Sequence, residues 1–320
     1  MALGQNAQAT KDFSGAPRVL FTGVAPVKVL AINPTKKQLE EIYGRDFEKE
    51  PEYLSADENN VKKLRIDFIL QTVKDDKLGV NIEEIVKHSF FLEDRPNIGK
   101  TSGKYQVVNV YGEFSWGTPE EVKAGKLAAN LSFYPIAGMR PAYVGEEDLT
   151  AFVRYLFGVP DRQAWNNDSK SFVDIKDIKQ AEGRLDNIKK YFTGDISEIT
   201  SVAKILPDNK VKLISGIKTT DDNKQYQAFA GKFPIRYSGS DKYAFYNKKL
   251  QESIAAGAYA NVDFGPEDLK FRIYNNTPTS FDNKSAVGDD PFATAIATGV
   301  PANAAASVVN DDPFGAWPNN

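Results

Sequence analysis

Between Lys62 and Val73 the side chains alternate: Leu64, Ile66, Phe68 and Leu70 fall on one side, Arg65, Asp67 and Gln71 on the other. A two-residue period does not fit a helix, whose apolar stripe recurs every three to four residues, so this segment reads as a half-buried strand. Such a strand cannot stand alone. It needs neighbours to take up its backbone hydrogen bonds and a second layer to cover its apolar face. Ile85–Leu92 and Lys104–Trp116 supply further strands, separated by the turn-rich Arg95–Gly103, and the three read as an antiparallel meander.

The remaining segments extend this pattern. Arg18–Ile32 is β-branched and reads as a strand pair, or as one bent strand interrupted by Pro26. Asn33-Pro34-Thr35 opens a helix through Tyr43, with Leu39 and Ile42 as its stripe, Thr35 and Gln38 as a capping box and Gly44 as its stop. A second helix spans Gly145–Phe157, with Glu146, Glu147 and Asp148 at its positive end and Gly158-Val159-Pro160 closing it. After the polar connection 161–170 come a short helix around Ala181–Phe192 and strands at Ile199–Leu206 and Val211–Lys218. A strand pair within Gln225–Tyr237, a helix Lys242–Ala255 and a strand Leu269–Tyr274 follow. No βαβ rhythm recurs. The expected class is α+β, mostly antiparallel β, with an OB-like barrel core and inserted helices. The expected division is a flexible arm at 1–16, an OB-like subdomain at 17–160, a second α+β subdomain at 161–284 and a disordered acidic tail at 285–320.

Composition removes several kinds of chemistry. The chain has no cysteine, which excludes disulfides, thiolate metal sites and cysteine nucleophiles. His88 is the single histidine, so no two-histidine metal site can form. It lies in the strand-like Val86–Phe90 and reads as a structural residue. No apolar run approaches the roughly 18 residues that span a bilayer. Met1–Gly15 has no apolar signal core, so a cytoplasmic protein without membrane contact is expected. The net charge of −3 averages unlike parts: 286–320 carries four aspartates and no Lys or Arg, and the rest is near neutral. Where the basic side chains lie therefore matters more than the sum.

The tail repeats itself. Val287-Gly288-Asp289-Asp290-Pro291-Phe292-Ala293 recurs, displaced by 22 residues, as Val309-Asn310-Asp311-Asp312-Pro313-Phe314-Gly315. Two carboxylates beside a proline-fixed phenylalanine make a short docking peptide: Asp289, Asp290, Asp311 and Asp312 suit Lys or Arg, while Phe292 and Phe314 suit an apolar pocket. This Asp-Asp-Pro-Phe ending resembles the acidic, phenylalanine-tipped tails of bacterial single-strand-binding proteins. The body is similar to phage single-stranded DNA-binding proteins, particularly those of large tailed phages of gut bacteria. The likeness is carried by Val29–Gly44 (VLAINPTKKQLEEIYG), Leu64–Phe68 (LRIDF) and Gly145–Phe152 (GEEDLTAF). Six residues follow Phe314, whereas the bacterial tail ends on its Phe. The resemblance implies a non-enzymatic protein without cofactor that coats single-stranded DNA in an infected bacterial cell. It also implies that the tail recruits replication or recombination proteins.

A sequence-tolerant single-strand binder needs a basic track for phosphates and aromatic faces for bases. Tyr226–Lys249 is the densest match, with five basic residues against Asp241 alone. Within it Lys232, Arg236, Tyr237, Lys242 and Tyr243 are the candidates; Phe229, Phe233 and Phe245 are assigned to the core. The second candidate is the meander, where Tyr105 and Tyr111 share a face with Val107 and Asn109, and Lys100 and Lys104 stand at its entrance. Trp116 at the strand end could stack a base, and Arg65 on the neighbouring strand could meet a phosphate.

Three other patterns carry less. Gly99-Lys100-Thr101-Ser102 has part of a phosphate-loop motif, but Asp94 stands where the first glycine belongs and a strand follows, so a basic hairpin loop is the better reading. Asp174, Asp177, Glu182 and Asp186 are interleaved with Lys176 and Lys179, as on a solvated helix face. The other classes left open are a structural or virion-associated phage protein with a docking tail, and a metal-dependent nuclease whose acids are scattered in sequence.

Overall fold

The computed structural model describes residues 19–109, 112–118, 120–121, 140–156, 163–166, 168–169, 171–174, 187–200, 210–236 and 243–274. The first half holds β1 (Leu20–Ile32), α1 (Lys36–Tyr43), β2 (Leu54–Ala56), β3 (Lys62–Thr72), β4 (Ile85–Pro96), β5 (Tyr105–Val108), β6 (Phe114–Gly117), β7 (Arg140–Pro141), β8 (Tyr143–Val144) and α2 (Glu146–Leu156). The second holds β9 (Gln163–Asn166), β10 (Ser171–Asp174), α3 (Asn187–Tyr191), β11 (Lys210–Thr219), β12 (Gln225–Phe229), β13 (Ile235–Arg236), α4 (Tyr243–Ala255), β14 (Val262–Asp263) and β15 (Arg272–Tyr274). Every strand pair is antiparallel.

Ten strands form one sheet along the order β12-β11-β1-β3-β4-β8, and it curls into a half-barrel. β1 organises it. Its first residues, Leu20–Thr22, pair with β15, Gly23–Lys28 pair with β11, and Val27–Ile32 pair with β3. A register shift between Val29 and Ala31 bulges the strand at Leu30 and lets it pass from one partner to the next. Gly23 takes φ +88, and a Cβ there would lie 2.1 Å from the Lys270 carbonyl oxygen, so only glycine fits beneath the crossing chain. Near its start Gln227 substitutes for a strand: its side chain accepts from the Phe21 N–H at 3.1 Å and donates to the Phe21 carbonyl at 2.9 Å.

The alternation of β3 is realised. Leu64, Ile66, Phe68 and Leu70 face the main core with Val86, Phe90 and Leu92 of β4, Phe21, Ala25 and Val27 of β1, and Val211 and Leu213 of β11. α2 fills the concave side with Leu149, Phe152 and Leu156, spaced three and four apart. His88 is 3% exposed among the rings of Phe90, Phe152 and Phe229, at 4.5, 5.1 and 5.2 Å. Burial pushes its imidazole down to about 3, so it is neutral. A second cluster on the opposite side of β1 and β11 joins Val24 and Ile214 to Ile235, Leu250, Tyr259 and Phe264.

Helix α1 begins at the expected capping box, Thr35 with Gln38, and ends on Gly44 in the left-handed region. Other expectations change. The third meander segment leaves the main sheet and forms a separate three-stranded one, β6-β5-β7. Residues 197–200 are helical, so no strand starts at Ile199, which packs into the main core. Phe245, expected inward on α4, is 54% exposed. Leu250 is the residue that α4 buries completely. Phe245 precedes it by five positions, about 140° round a helix of 3.6 residues per turn, whereas Tyr246 at four lies nearly above it and packs on the second cluster. Strands from both sides of 161–170 share one sheet and one core, so 17–160 and 161–284 are not separate sheets. The arm at 1–16 and the tail at 285–320 lie outside the described residues.

Candidate nucleic-acid interface

With one side of β3 and β4 committed to the core, the alternation sends Lys63, Arg65, Asp67, Ile69 and Gln71 of β3 to the outer face. Ile85, Lys87, Ser89, Phe91 and Glu93 of β4 join them, because residues directly opposite one another share a face. The β1 register continues the surface: Lys28 lies opposite Gln71 on one side and opposite Lys210 of β11 on the other. Lys212 follows two residues along β11. Lys28, Lys63, Arg65, Lys87 and Lys210 thus form a basic band across four adjacent strands, while Lys212 is buried at 7% exposure. Directly opposed like charges are destabilising, and Lys28 and Lys210 are such a pair.

The band has one buried acid. Asp67, 4% exposed, lies 3.2 Å from Arg65 Nε and 3.7 Å from Lys87 Nζ, and accepts from the Ser89 hydroxyl at 2.8 Å. Asn33 ties the end of β1 to the same place, accepting from the Asp67 N–H at 2.7 Å and donating to the Arg65 carbonyl at 3.2 Å. The Arg65 guanidinium lies over the Tyr53 ring at 5.2 Å. Burial, and then the Asp67 charge, push the Tyr53 phenol well above its ordinary range; its hydroxyl donates to the Pro34 carbonyl at 2.7 Å.

The candidates named from sequence are scattered. Arg65 belongs to the band but is paired. Lys100 and Lys104 are exposed in the 99–104 turn, a tight hairpin closed by Gly99 N–H to Lys104 O and Gly103 N–H to Gly99 O, both 2.8 Å. Trp116 is 40% exposed and lies against Gly99, where an added Cβ would sit 3.3 Å from its ring. It stands opposite Gln106, so the half-buried Tyr105 projects to the other side of the hairpin. Lys232 is bound to Glu147 and Asp148, each at 3.4 Å, and its ammonium is held above the usual lysine range by these carboxylates despite its burial. Arg236 ends β13 opposite Val211, and Tyr243 opens α4. Tyr111, Tyr237, Lys242 and the tail residues Asp289, Asp290, Phe292, Asp311, Asp312 and Phe314 lie outside the described residues.

Lys28, Lys87, Lys210 and Lys212 were not singled out in the sequence. The alternation around His88 could have marked Lys87 as outward-facing. Lys28 and Lys210 acquire meaning from a pairing between strands about 180 positions apart, for which the sequence carries no local signal. The open cleft between the β11–β12 turn and the end of α4 is lined by Asp221 and Asp263 and by no basic residue, so it does not suit phosphate. Among the described residues no group of acids or histidine is gathered to hold a metal, and no helix is long and apolar enough to cross a membrane.

No family model matches this sequence, and neither a curated protein nor a solved structure matches it.

Proposed function

We propose that this chain binds single-stranded DNA along the outer face of β11, β1, β3 and β4, without catalysis or cofactor. The observation that carries the reading is the cross-strand pair Lys28–Lys210 within a basic band. A polyanion laid along the face would meet these cations with opposite charge and release counterions. Strand order supports an OB-type barrel: a long bulged first strand shared by β3 and β11, a β3–β4 hairpin, a helix, then a β11–β12 hairpin that brings Phe229 against His88 of β4. In that fold the faces of the second and third strands, here β3 and β4, receive oligonucleotides. Trp116, with Lys100 and Lys104 beside its hairpin, supplies an aromatic surface for a base at the far end of β4.

The segments Val29–Gly44, Leu64–Phe68 and Gly145–Phe152, which resemble stretches of phage single-stranded DNA-binding proteins, support this reading, and the tail completes the proposal. Its duplicated Asp-Asp-Pro-Phe would engage replication or recombination proteins in the infected bacterial cytoplasm, with Phe292 and Phe314 as apolar anchors.

Anisotropy of a labelled oligothymidylate, titrated with the full chain at several salt concentrations, tests the reading. Binding should weaken linearly on a log–log salt plot. Lys28→Ala and Lys210→Ala should each reduce the slope by about 0.7, the value for one phosphate contact on a single strand. Absence of binding at low salt would sink the proposal.

A further inference from the structure

The cations that share Asp67 are not held alike. Arg65 is 12% exposed in its side chain, lies over Tyr53 and cannot leave the carboxylate without disturbing that packing. Lys87 reaches the other carboxylate oxygen from the neighbouring strand at 3.7 Å, with its side chain 35% exposed. If Lys87 swings away, Asp67 keeps the Ser89 hydroxyl at 2.8 Å and Arg65 at 3.2 Å, so no buried charge is stranded. The Lys87 side chain already reaches solvent, and a lysine on a flexible four-carbon stem meets phosphate as a point charge.

We infer that Lys87 is a phosphate-binding residue of the outer face, resting on Asp67 in the unbound protein and moving to a phosphate when a strand is bound. This rests on the single-strand-binding reading. Asp67 then acts as an internal competitor of phosphate for Lys87, and Arg65 remains part of the scaffold.

The test uses the full chain with Lys87→Ala, Lys87→Arg and Asp67→Asn, each measured by oligothymidylate anisotropy between about 50 and 200 mM salt and by thermal melting. Lys87→Ala should reduce the salt slope by about 0.7 with an unchanged melting temperature, and Lys87→Arg should restore the slope. Asp67→Asn should tighten binding severalfold at the low-salt end. Lys87→Ala leaves Asp67 its contacts with Arg65 and Ser89, so it carries the test whether or not Asp67→Asn folds. If the parent binds with a normal salt slope and Lys87→Ala reproduces it, this inference is wrong and the functional reading stands. If the parent does not bind at all, the functional reading fails and takes this inference with it.

Discussion

Replacing His88 tests the core on which the outer face is mounted. The imidazole is 3% exposed inside a box of three phenylalanine rings, and among the described residues its Nε2 has no hydrogen-bond partner. Burial lowers its pKa to about 3, against about 6.5 in the unfolded chain. The folded value lies below the unfolded one, so this residue's contribution is fully present above pH 6.5 and is lost as the pH falls towards 3. Each pH unit in that window costs about 1.4 kcal/mol, or roughly 3 kcal/mol at pH 4.5. That is a large share of the roughly 5–15 kcal/mol that holds a domain together. Urea unfolding followed by circular dichroism at pH 7.5 and pH 4.5, on the parent and on His88→Leu, isolates this residue because the other titrations cancel in the difference. The parent should lose roughly 3 kcal/mol more than the variant on acidification. An equal loss in both proteins would mean that His88 is hydrated or paired in solution, and the aromatic box would have to be redrawn.

Two further perturbations address the joint between the half-barrel and the three-stranded sheet. Glu146 is 4% exposed and accepts from both Arg140 terminal nitrogens, at 2.8 and 2.6 Å, and from the Tyr143 N–H at 2.9 Å. Glu146→Gln leaves the Arg140 charge without its counter-ion, and the unfolding free energy should drop by about 3 kcal/mol in denaturant titration. Gly145 takes φ +78, and a Cβ there would lie 1.9 Å from the Phe91 carbonyl oxygen; Gly145→Ala should cost more than about 3 kcal/mol. Gly44→Ala, at φ +64 with nothing within 4 Å, is the comparator and should cost about 1 kcal/mol.

What the sequence disclosed was local. The Thr35–Gln38 capping box, the Gly44 stop and the β3 alternation depend on residues a few positions apart, and each appears where the spacing puts it. His88, read as a structural residue in the strand-like Val86–Phe90, is buried in β4. Long-range pairing was not readable. Lys232 stood out as a basic residue among aromatics, but its partners Glu147 and Asp148 are about 85 positions away on α2. Arg65 was named as a phosphate contact although the alternation already set Asp67 beside it on the same face, and the two are paired at 3.2 Å. The phase of α4 depends on which residue meets Ile214 and Phe264 across the second cluster, and the aromatic run Tyr243–Tyr246 does not encode that choice. Trp116 and Tyr105 were grouped by nearness in sequence, yet the β5–β6 register puts them on opposite sides of the hairpin.

The chemistry of the outer face also bears on what kind of macromolecule it suits. A protein-docking surface has a desolvated apolar centre, with aromatic residues enriched and lysine depleted. Among the described residues the large, strongly exposed apolar side chains are Leu30, Ile98, Trp116, Phe245, Ile254, Ile273 and Tyr274. Leu30, the bulged residue of β1, is the member of that set on the four strands of the band. Apart from Ile69, Ile85 and Phe91, the side chains that β3 and β4 turn to this face are charged or polar. Covering it with a protein would desolvate several ammonium groups and return little apolar burial, whereas a phosphate backbone meets each of them with charge and releases counterions in doing so. A strand of nucleic acid carries a phosphate at every step along its length, so it can meet cations spread over several strands without a matched arrangement of carboxylates. The distribution of charge and apolar surface therefore favours a single strand over a protein on this face.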